Sequence, residues 1–552
     1  MVVGVVALLA ALALAGSALA DSPNTAAVLL VGTYHGMAGK YASIQAAVNA
    51  AQPGDWILVA PGDYHETDDA NVTSAAQLST GDHGGVVVTT SDLHVRGLNR
   101  NTVVVDGTKA GSSVPCSSAA QDQNFGPVVD GKAQGRNGIV VWKANDVSIE
   151  NLTVCNFQGG AGDSGNQVWW NGGDGSGQIG LTGYAGSYLT ATTGFFGTES
   201  TAAAYGIFSS NAQGPGNWDQ IYASNMNDSG MYVGACVQVC DVTIDHAWME
   251  NSALGYSGTN SGGSIVIENS QFDNNKDGVD TNSQIAGDPP PPQDGACPNG
   301  GTSPITHTHS CWVFIHNNVH DNNNPNVPQA GSAAAAPTGT GMTLSGGRND
   351  TILDNTFANN GAWGTLFIPY PDSGRPSLNQ KCSDYGGFQM RGLGCVFEDE
   401  NDRLAGNTFV HDGFFGNPAN SDFGQIVLHA GLPSNCYADN HGPQGSSPPY
   451  LELLQPTCGV PAKSTNFQGA LVTEVECDAG LAPCPAGSVY PARTGVRLEP
   501  LPRGLPTMAD PCAGVPSNAW CTSGSSMGST RHGGQASAAP KAVGGAYRRA
   551  TS

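Results

Sequence analysis

Apolar and polar residues alternate in short runs along the middle of the chain, and a glycine opens each run. A glycine followed by an inward, an outward and an inward residue occurs seven times, at Gly138, Gly206, Gly230, Gly255, Gly278, Gly341 and Gly364. Consecutive glycines lie 24, 25, 23 and 23 residues apart, and two longer steps of 68 and 63 leave room for insertions. A period near 23 predicts stacked coils that bury their apolar faces against one another.

A second set of short apolar runs repeats in step with the first. It includes Ile149–Val154, Ile244–Met249 and Ile267–Phe272, in which polar residues interrupt the alternation as a bend would require. Asparagine-rich segments follow, such as Asn274-Asn275, and stacked asparagines can hydrogen-bond along the axis of a solenoid. Since no helical period separates the runs, strand follows strand and the sequence predicts an all-β solenoid.

The segment Tyr41–Tyr64 resembles the opening of the pectin lyase-like superfamily. It contains an amphipathic stretch, the turn Pro53-Gly54-Asp55, a strand and the ending Pro61-Gly62-Asp63-Tyr64. The resemblance implies a right-handed parallel β-helix with loop insertions, whose first coil is covered by a short amino-terminal helix that protects an open sheet edge. This scaffold hosts lyases, hydrolases, epimerases and adhesins, so the motif indicates fold and not activity.

The ends of the chain differ from its middle. Residues 1–20 are uncharged and apolar and end in Ala18-Leu19-Ala20, which predicts a signal peptide cleaved before Asp21 and a secreted or cell-surface protein. We expect the β-helix to span residues 21–432 and a Cys/Pro-rich cap to span 433–521. The small polar residues of 522–552 predict a disordered tail.

The fourteen cysteines are an even number and fall mainly in close-spaced pairs. In an exported protein this predicts seven disulfides that staple inserted loops. The spacing suggests the pairs Cys236 and Cys240, Cys297 and Cys311, Cys382 and Cys395, Cys436 and Cys458, Cys477 and Cys484, Cys512 and Cys521, and by remainder Cys116 and Cys155, with connectivity left open.

The formal net charge of -24 excludes some classes of partner. It argues against binding to nucleic acid or to anionic membrane surfaces. A polyuronate would be repelled and could bind only through calcium or a local cationic spot. We therefore expect a monomer whose partner is a polysaccharide.

The repeat places one outward residue of each coil in a column. Exposed aromatic rings in such a column suit sugar rings, and nearby polar groups can bond hydroxyls. The alternative is that the inserted loop 159–204 covers the aromatic residues. The predicted column contains Val140, Phe208, Tyr232, Ser257, Asp280, Thr343 and Leu366, and the predicted substrate-binding residues are Phe208, Tyr232, Asn282 and Thr343.

The segment Asp273–Asp280 begins like a calcium-binding loop. Asp273 and Asp277 are its candidate metal ligands, although the twelfth position is Gln284 and not glutamate. The same residues also suit a turn that enters the next β-helix strand. Calcium is the one cofactor the sequence suggests.

Candidate catalytic residues lie in the same segment. Basic side chains are scarce in this region, and a lyase needs a base and a cation beside the substrate carboxylate, so we predict Lys276 and Asp280 as catalytic residues. Asp245-His246 resembles a pectate lyase motif, but sister coils carry Glu150-Asn151 and Glu268-Asn269 at the same bend, which favours a structural role.

Two functions remain open from the sequence. The first is binding of an extracellular polysaccharide, with cleavage of the lyase or glycoside hydrolase type. The second is a non-catalytic adhesion or binding protein of the cell surface or matrix, in which the coils only hold the loops. Complete burial of the column would favour the second.

Overall fold

The computed structural model describes residues 26–67, 84–161, 164–236, 239–283, 293–372, 381–463, 465 and 469–522. The predicted signal peptide at residues 1–20 lies outside these ranges. So does the predicted tail, apart from residue 522. The domain boundaries drawn from the sequence therefore stay predictions.

Three long sheets, built only from parallel strands, wind around a common axis. Apart from the coils at the two ends, each coil contributes one strand to each sheet, which confirms the predicted right-handed parallel β-helix. The first sheet has 12 strands: Val28–Val31, Trp56–Val59, His94–Gly97, Val147–Glu150, Leu181–Ser187, Ala212–Asp219, Val239–Asp245, Gly263–Glu268, Trp312–Ile315, Asp350–Leu353, Arg403–Ala405 and Cys436–Ala438.

The second sheet follows the first after a short bend in each coil. Its 10 strands are Gly62–Tyr64, Val103–Asp106, Thr153–Cys155, Thr190–Thr192, Tyr222–Ser224, Trp248–Glu250, Gln271–Asp273, Asn318–His320, Thr356–Ala358 and Thr408–Val410.

The third sheet contains the strands that the glycine motif predicted. Its 11 strands are Gly84–Val88, Asn137–Trp142, Val168–Asn171, Tyr205–Ser210, Ser229–Gly234, Leu254–Thr259, Asp277–Asn282, Thr340–Ser345, Trp363–Ile368, Ser421–Gln425 and Ser446–Ser447.

Smaller elements decorate these coils. Antiparallel pairs form at Thr33–Tyr34 with Met37–Ala38, at Val128–Val129 with Lys132–Ala133, and among Tyr370–Asp372, Phe388–Met390 and Gly394–Phe397. The α-helices are Ile44–Ala50, Leu451–Leu454 and Gly469–Asp478, and the 3-10 turns are Ala120–Asp122, Glu199–Thr201, Pro298–Gly300, Gly331–Ala335 and Cys382–Tyr385.

The amino-terminal helix closes the first coil as expected. Ser43 caps Ile44–Ala50 by accepting a bond from the backbone N–H of Ala46. The Gln45 side chain both donates to and accepts from the backbone of Val87, at 3.1 and 2.7 Å. These bonds occupy backbone groups of a strand that would otherwise offer a free edge.

Residues 159–204 contain a further coil that the sequence pattern missed. Val168–Asn171 pairs with Asn137–Trp142 on one side and Tyr205–Ser210 on the other. Gln167 occupies the position that glycine holds in the neighbouring coils, and its side chain bonds backbone atoms of Phe157 and Gly165. The glycine signature is absent here because glutamine takes its place.

The carboxyl-terminal residues return along the outside of the β-helix. We call residues 491–521 the strap. Going along the strap, Arg497 bonds the backbone of Asn326, Glu499 bonds Asn225, and Met508 bonds Asn151. Trp520 finally donates to the carbonyl of Met37 at 3.1 Å. The strap therefore connects the late coils to the first one.

All seven disulfides that the cysteine spacing suggested are formed, including Cys116–Cys155, and no cysteine is free. Such a set fits an oxidising compartment, although export itself stays a prediction. Within the ranges described above, no helix has the length and apolar character needed to cross a membrane.

Candidate functional site

The outward residues of the third sheet form the predicted column. Tyr232 pairs with Ser257 and Ser257 with Asp280, each one strand apart. Phe208 precedes Tyr232 and Thr343 follows Asp280 in the same register. Side chains about two dozen residues apart in the chain therefore lie one above another, as the repeat predicted.

The amino-terminal half of the column is aromatic. Trp169, on the coil that the sequence pattern missed, stacks on Phe208 with ring centroids 5.1 Å apart and an interplanar angle of 9°. Phe208 meets Tyr232 edge-on at 4.9 Å, and Tyr205 lies 5.3 Å from Tyr232. Trp169 and Phe208 are buried, whereas Tyr205, Tyr232 and Trp142 keep part of their surface open. The partly open rings form an apolar platform.

The carboxyl-terminal half of the column is polar and largely covered. Asp280 is 9% exposed, Asn282 4% and Thr343 1%. Asp280 accepts a bond from Ser345 at 3.1 Å, and Asn282 accepts one from Thr259 at 2.6 Å. The structure thus places Asn282 and Thr343 beneath the surface and leaves Asp280 nearly covered, while Tyr232 keeps part of its ring open.

Asp228 is a carboxylate of this face that the sequence pattern did not indicate. It directly precedes the strand Ser229–Gly234 and accepts a bond from the hydroxyl of Tyr205 at 3.1 Å. Its side chain is partly exposed, at the end of the aromatic platform. The glycine repeat gave no signal for it because it lies before the motif and not within it.

Burial perturbs both carboxyl groups of this face. It raises the pKa of Asp228 to about 6. Burial also raises the pKa of Asp280 to about 7, and the nearby charge of Asp228 adds to that increase. The two pKa values are spread around neutrality, which is the arrangement that acid and base partners require.

Lys276 lies beside this pair, but its ammonium group faces another direction. Its side chain is 4% exposed, and Nζ donates to the carbonyl of Ala334. Burial lowers the pKa of Lys276 to about 8, against the attraction of Asp478 and Asp277. The small residues Ala333 and Ala336 pack against Ala253 and Leu254, at the start of the neighbouring strand Leu254–Thr259.

The two predicted calcium ligands do not form a shared cation site in the structure. Asp273 belongs to the second sheet, and its Oδ1 accepts bonds from Trp248 at 2.7 Å and Gln271 at 2.8 Å. Asp277 opens a strand of the third sheet and accepts a bond of 2.5 Å from Thr343. These oxygens are occupied by hydrogen-bond donors and not directed at a common point, so the residues present do not fit a calcium loop, and calcium stays an untested prediction.

Groups of three potential ligands do occur elsewhere among the described residues. One comprises Asp219, Asp245 and His246 on the first sheet, with His246 2.9 Å from Asp245. Asp245 pairs in register with Glu268, as the sequence comparison of sister coils predicted. The other groups are Asp63, His65 and Asp106, and Asp106 with the disulfide-bonded Cys116 and Cys155.

Comparison with known proteins gives no family assignment. No family model matches the chain, and no curated protein matches it. Solved structures that resemble it include the A-module of a mannuronan C-5 epimerase from Azotobacter vinelandii, at 15% identity and a TM-score of 0.42, over 73% of this chain and 92% of that one.

Two further solved structures show similar values. A mannuronic acid specific polysaccharide family 6 lyase from human gut microbiota has 12% identity and a TM-score of 0.40, over 75% of this chain and 80% of that one. The tailspike protein of an E. coli bacteriophage, in complex with a pentasaccharide, has 10% identity and a TM-score of 0.39, over 76% and 59%. Similarities this low carry no information about the substrate of this chain.

Proposed function

We propose that this protein binds an extracellular polysaccharide along the third sheet and hydrolyses a glycosidic bond between Asp228 and Asp280. The observation that carries the proposal is the column itself. It joins an aromatic platform, partly open at Tyr205 and Tyr232, to two carboxyl groups whose pKa values lie near 6 and 7.

The aromatic platform suits the apolar C–H faces of sugar rings. Tyr232 and Tyr205 offer ring surface next to each other, and the packing of Phe208 against Tyr232 holds that surface in place. Tyr205 and Tyr232 belong to consecutive coils, so the open ring surface extends along the β-helix axis. An elongated glycan therefore binds parallel to the axis.

The carboxyl pair divides into an acid and a base. Below about pH 7, Asp280 keeps its proton and gives it to the glycosidic oxygen as the C–O bond breaks. Asp228, ionised above about pH 6, takes a proton from the water that attacks the anomeric carbon. Asp280 is left as a carboxylate and Asp228 as an acid, and proton exchange with water restores both.

The charges around this site favour a neutral glycan over a polyuronate. Asp228, Asp277 and Asp280 lie close to one another on this face, and the nearby Lys276 donates its Nζ hydrogen bond to a backbone carbonyl. β-Elimination requires a cation to neutralise the uronate carboxylate. Hydrolysis of a neutral polysaccharide therefore suits the described residues better than lyase chemistry.

The test is a screen of neutral glycans, pectate and alginate that measures both reducing ends and unsaturated products. We expect reducing ends from a neutral glycan and no unsaturated product. Asp280→Asn and Asp228→Asn should each lower the rate by about 100-fold or more. Asp354→Asn, an exposed change of the same kind, is the matched control. Unsaturated products from a uronate, or full activity in Asp280→Asn, would refute the proposal.

A non-catalytic binding protein is the second candidate. The low exposure of Asp280, Asn282 and Thr343 favours it, because a covered polar half leaves mainly the aromatic residues for contact. This alternative predicts glycan binding that depends on Tyr232 without any release of reducing ends. Glycan binding that depends on Tyr232, with no reducing ends and no unsaturated product in the activity screen, would support this alternative.

A further inference from the structure

Asparagine side chains form continuous ladders inside the β-helix. In one of them Asn317, Asn355, Asn407 and Asn440 occupy equivalent bends of successive coils. Oδ1 of each accepts the backbone N–H of the previous member at 2.8 to 3.2 Å and its amide Nδ2–H at 3.0 to 3.1 Å. The amide also donates to a backbone carbonyl, as from Asn355 to Phe314 at 2.9 Å. Each asparagine side chain thus accepts hydrogen bonds through Oδ1 and donates them through Nδ2–H.

Aspartates occupy equivalent positions in two other ladders. The backbone N–H of Asp350 donates to Oδ1 of Asp402 at 2.9 Å, and that of Asp402 donates to Oδ1 of Asn435 at 2.9 Å. Asp412 ends the ladder that runs through Asn360, accepting both its backbone N–H and its amide at 2.9 Å. These are the bonds that an asparagine oxygen makes in the first ladder.

The second oxygen of each of these aspartates is left without a partner. Asp350, Asp402 and Asp412 are each 0% exposed, and their Oδ2 atoms meet no hydrogen-bond donor. Oδ1 of Asp402 and of Asp412 takes the role of the asparagine oxygen, and Oδ1 of Asp350 accepts the side-chain amide of Gln293 at 3.0 Å. In each case Oδ2 is the atom that would be the amide nitrogen of an asparagine. An ionised carboxylate can only accept hydrogen bonds, and Oδ2 has no donor to accept from, which burial makes costly.

The charges that surround the first pair are all acidic. Asp350 and Asp402 lie within electrostatic reach of each other and of Asp399 and Asp294. The phenol groups of Tyr256 and Tyr437 are the other titratable groups that interact with them.

Arg348, the basic residue near Asp350 in the chain, is bonded to other groups, and the charged neighbour of Asp412 is also acidic. Arg348 directs its guanidinium to Glu400, at 2.9 Å, and to the carbonyl of Gly386. Asp412 has Asp422 as its charged neighbour. No ion pair among the described residues therefore compensates an ionised form of these three aspartates.

We propose that Asp350, Asp402 and Asp412 keep their protons in the folded protein and act as asparagine equivalents, so that this β-helix is built for acidic surroundings. Each Oδ2–H is then a donor, as the amide of each asparagine is in the first ladder. The consequence is a fold that loosens when these groups ionise.

The direction of the pH dependence follows from the pKa values. Burial raises the pKa of Asp412 to about 7 and the pKa values of Asp350 and Asp402 well above the ordinary range. Unfolded aspartate titrates near 4. The contribution of each proton is complete below about pH 4 and is lost as pH rises through the folded pKa, by about tenfold in the unfolding constant per pH unit.

The test follows urea-induced unfolding of the full chain by tryptophan fluorescence at pH of about 4.5 and about 7.5. Wild type should unfold at least about tenfold faster at the higher pH. Asp402→Asn and Asp412→Asn should slow unfolding at the higher pH, leave it nearly unchanged at the lower one, and so flatten the pH dependence. Asp354→Asn, an exposed aspartate beside the first ladder, should not.

A second measurement does not depend on stability. The infrared band of protonated carboxyl groups should be present in folded wild type near neutral pH and weaker in Asp402→Asn. Unfolding that is independent of pH, or faster in both asparagine variants at both pH values, would overturn the proposal. So would slowing of unfolding at neutral pH by added calcium and its reversal by chelation, since a cation and not a proton would then hold these oxygens.

Discussion

Asp228 and Asp280 show how identical side chains acquire different roles from their positions. Both carboxyl groups are deprived of water, but Asp228 stays partly exposed beside Tyr205, whereas Asp280 is nearly covered beside Ser345. Burial raises both pKa values, but hydrogen bonds from Tyr205 and Ser229 limit the increase at Asp228, to about 6, whereas the charge of Asp228 adds to the increase at Asp280, to about 7. Between about pH 6 and about pH 7, Asp280 is therefore the group that keeps its proton while Asp228 is ionised.

This difference predicts a bell-shaped dependence of kcat/KM on pH. The rate falls below about pH 6 because Asp228 gains a proton, and above about pH 7 because Asp280 loses one. The measurement is the initial rate on the best neutral glycan across this range. A rate that rises steadily toward alkaline pH would contradict the assignment and would suit a lysine base such as Lys276, whose pKa is about 8.

Tyr232 carries the binding prediction at the residue scale. Tyr232→Ala should weaken glycan binding by about 1 to 3 kcal/mol, because it removes the ring that Tyr205 and Phe208 hold in place. Tyr450→Ala is the matched control, since that tyrosine is 74% exposed and lies beyond the last strand of the third sheet. Isothermal titration of both variants checks the prediction. Equal affinity in Tyr232→Ala and wild type would place the glycan elsewhere.

Within a coil, the glycine motif has a steric cause. A Cβ on Gly278 would lie 2.4 Å from the carbonyl oxygen of Gly341 in the next coil, and one on Gly255 would lie 2.4 Å from that of Gly278. No real side chain tolerates that distance without a shift of the backbone. The glycine repeat therefore reflects the close approach of consecutive coils at the start of each strand of the third sheet.

Gly278→Ala should accordingly destabilise the protein by about 1 to 3 kcal/mol, since the added methyl group meets backbone and not a flexible side chain. Gly469→Ala is the control, because a Cβ there meets nothing within 4 Å. Equilibrium urea unfolding of the two variants provides the comparison. If Gly278→Ala were as stable as the control, the coils could not be packed as described.

The same steric argument explains how much of the architecture the sequence could predict. Wherever glycine opens the strand, as at Gly230 and Gly278, the register of the column followed directly. The coil at Val168–Asn171 was not predicted because Gln167 stands at the glycine position. Its side-chain amide donates hydrogen bonds to the nearby backbone carbonyls of Phe157 and Gly165. Of the site, Tyr232 and Asp280 were predictable from periodicity. Asp228 was not, because its role depends on a contact with Tyr205 that no repeat encodes.

At the scale of the whole molecule, the strap connects regions far apart in the chain. Its bonds to Asn225 and Asn151 follow the asparagine bends, and Trp520 covers Leu58 and Leu98 on the outside of the first sheet. Contacts in a solenoid otherwise run only between neighbouring coils. The strap adds long-range contacts between the first coils and the region around Asn326.

Trp520→Ala should therefore destabilise the first coils by about 3 kcal/mol, because a buried ring and its bond to Met37 are lost. Hydrogen exchange checks this prediction through faster exchange at Val28–Val31 and Trp56–Val59, with late coils such as Thr340–Ser345 unchanged. Unchanged exchange at the first coils would mean that the strap only rests on the surface.

The central claim is that the outward column of the third sheet is where a glycan binds and is cleaved. The most direct measurement is a crystal structure of Asp280→Asn in complex with an oligosaccharide of the best neutral substrate. The account predicts sugar rings stacked on Tyr232 and a glycosidic oxygen within hydrogen-bond reach of residue 280. An oligosaccharide bound on another sheet, with the column closed beneath its loops, would contradict it.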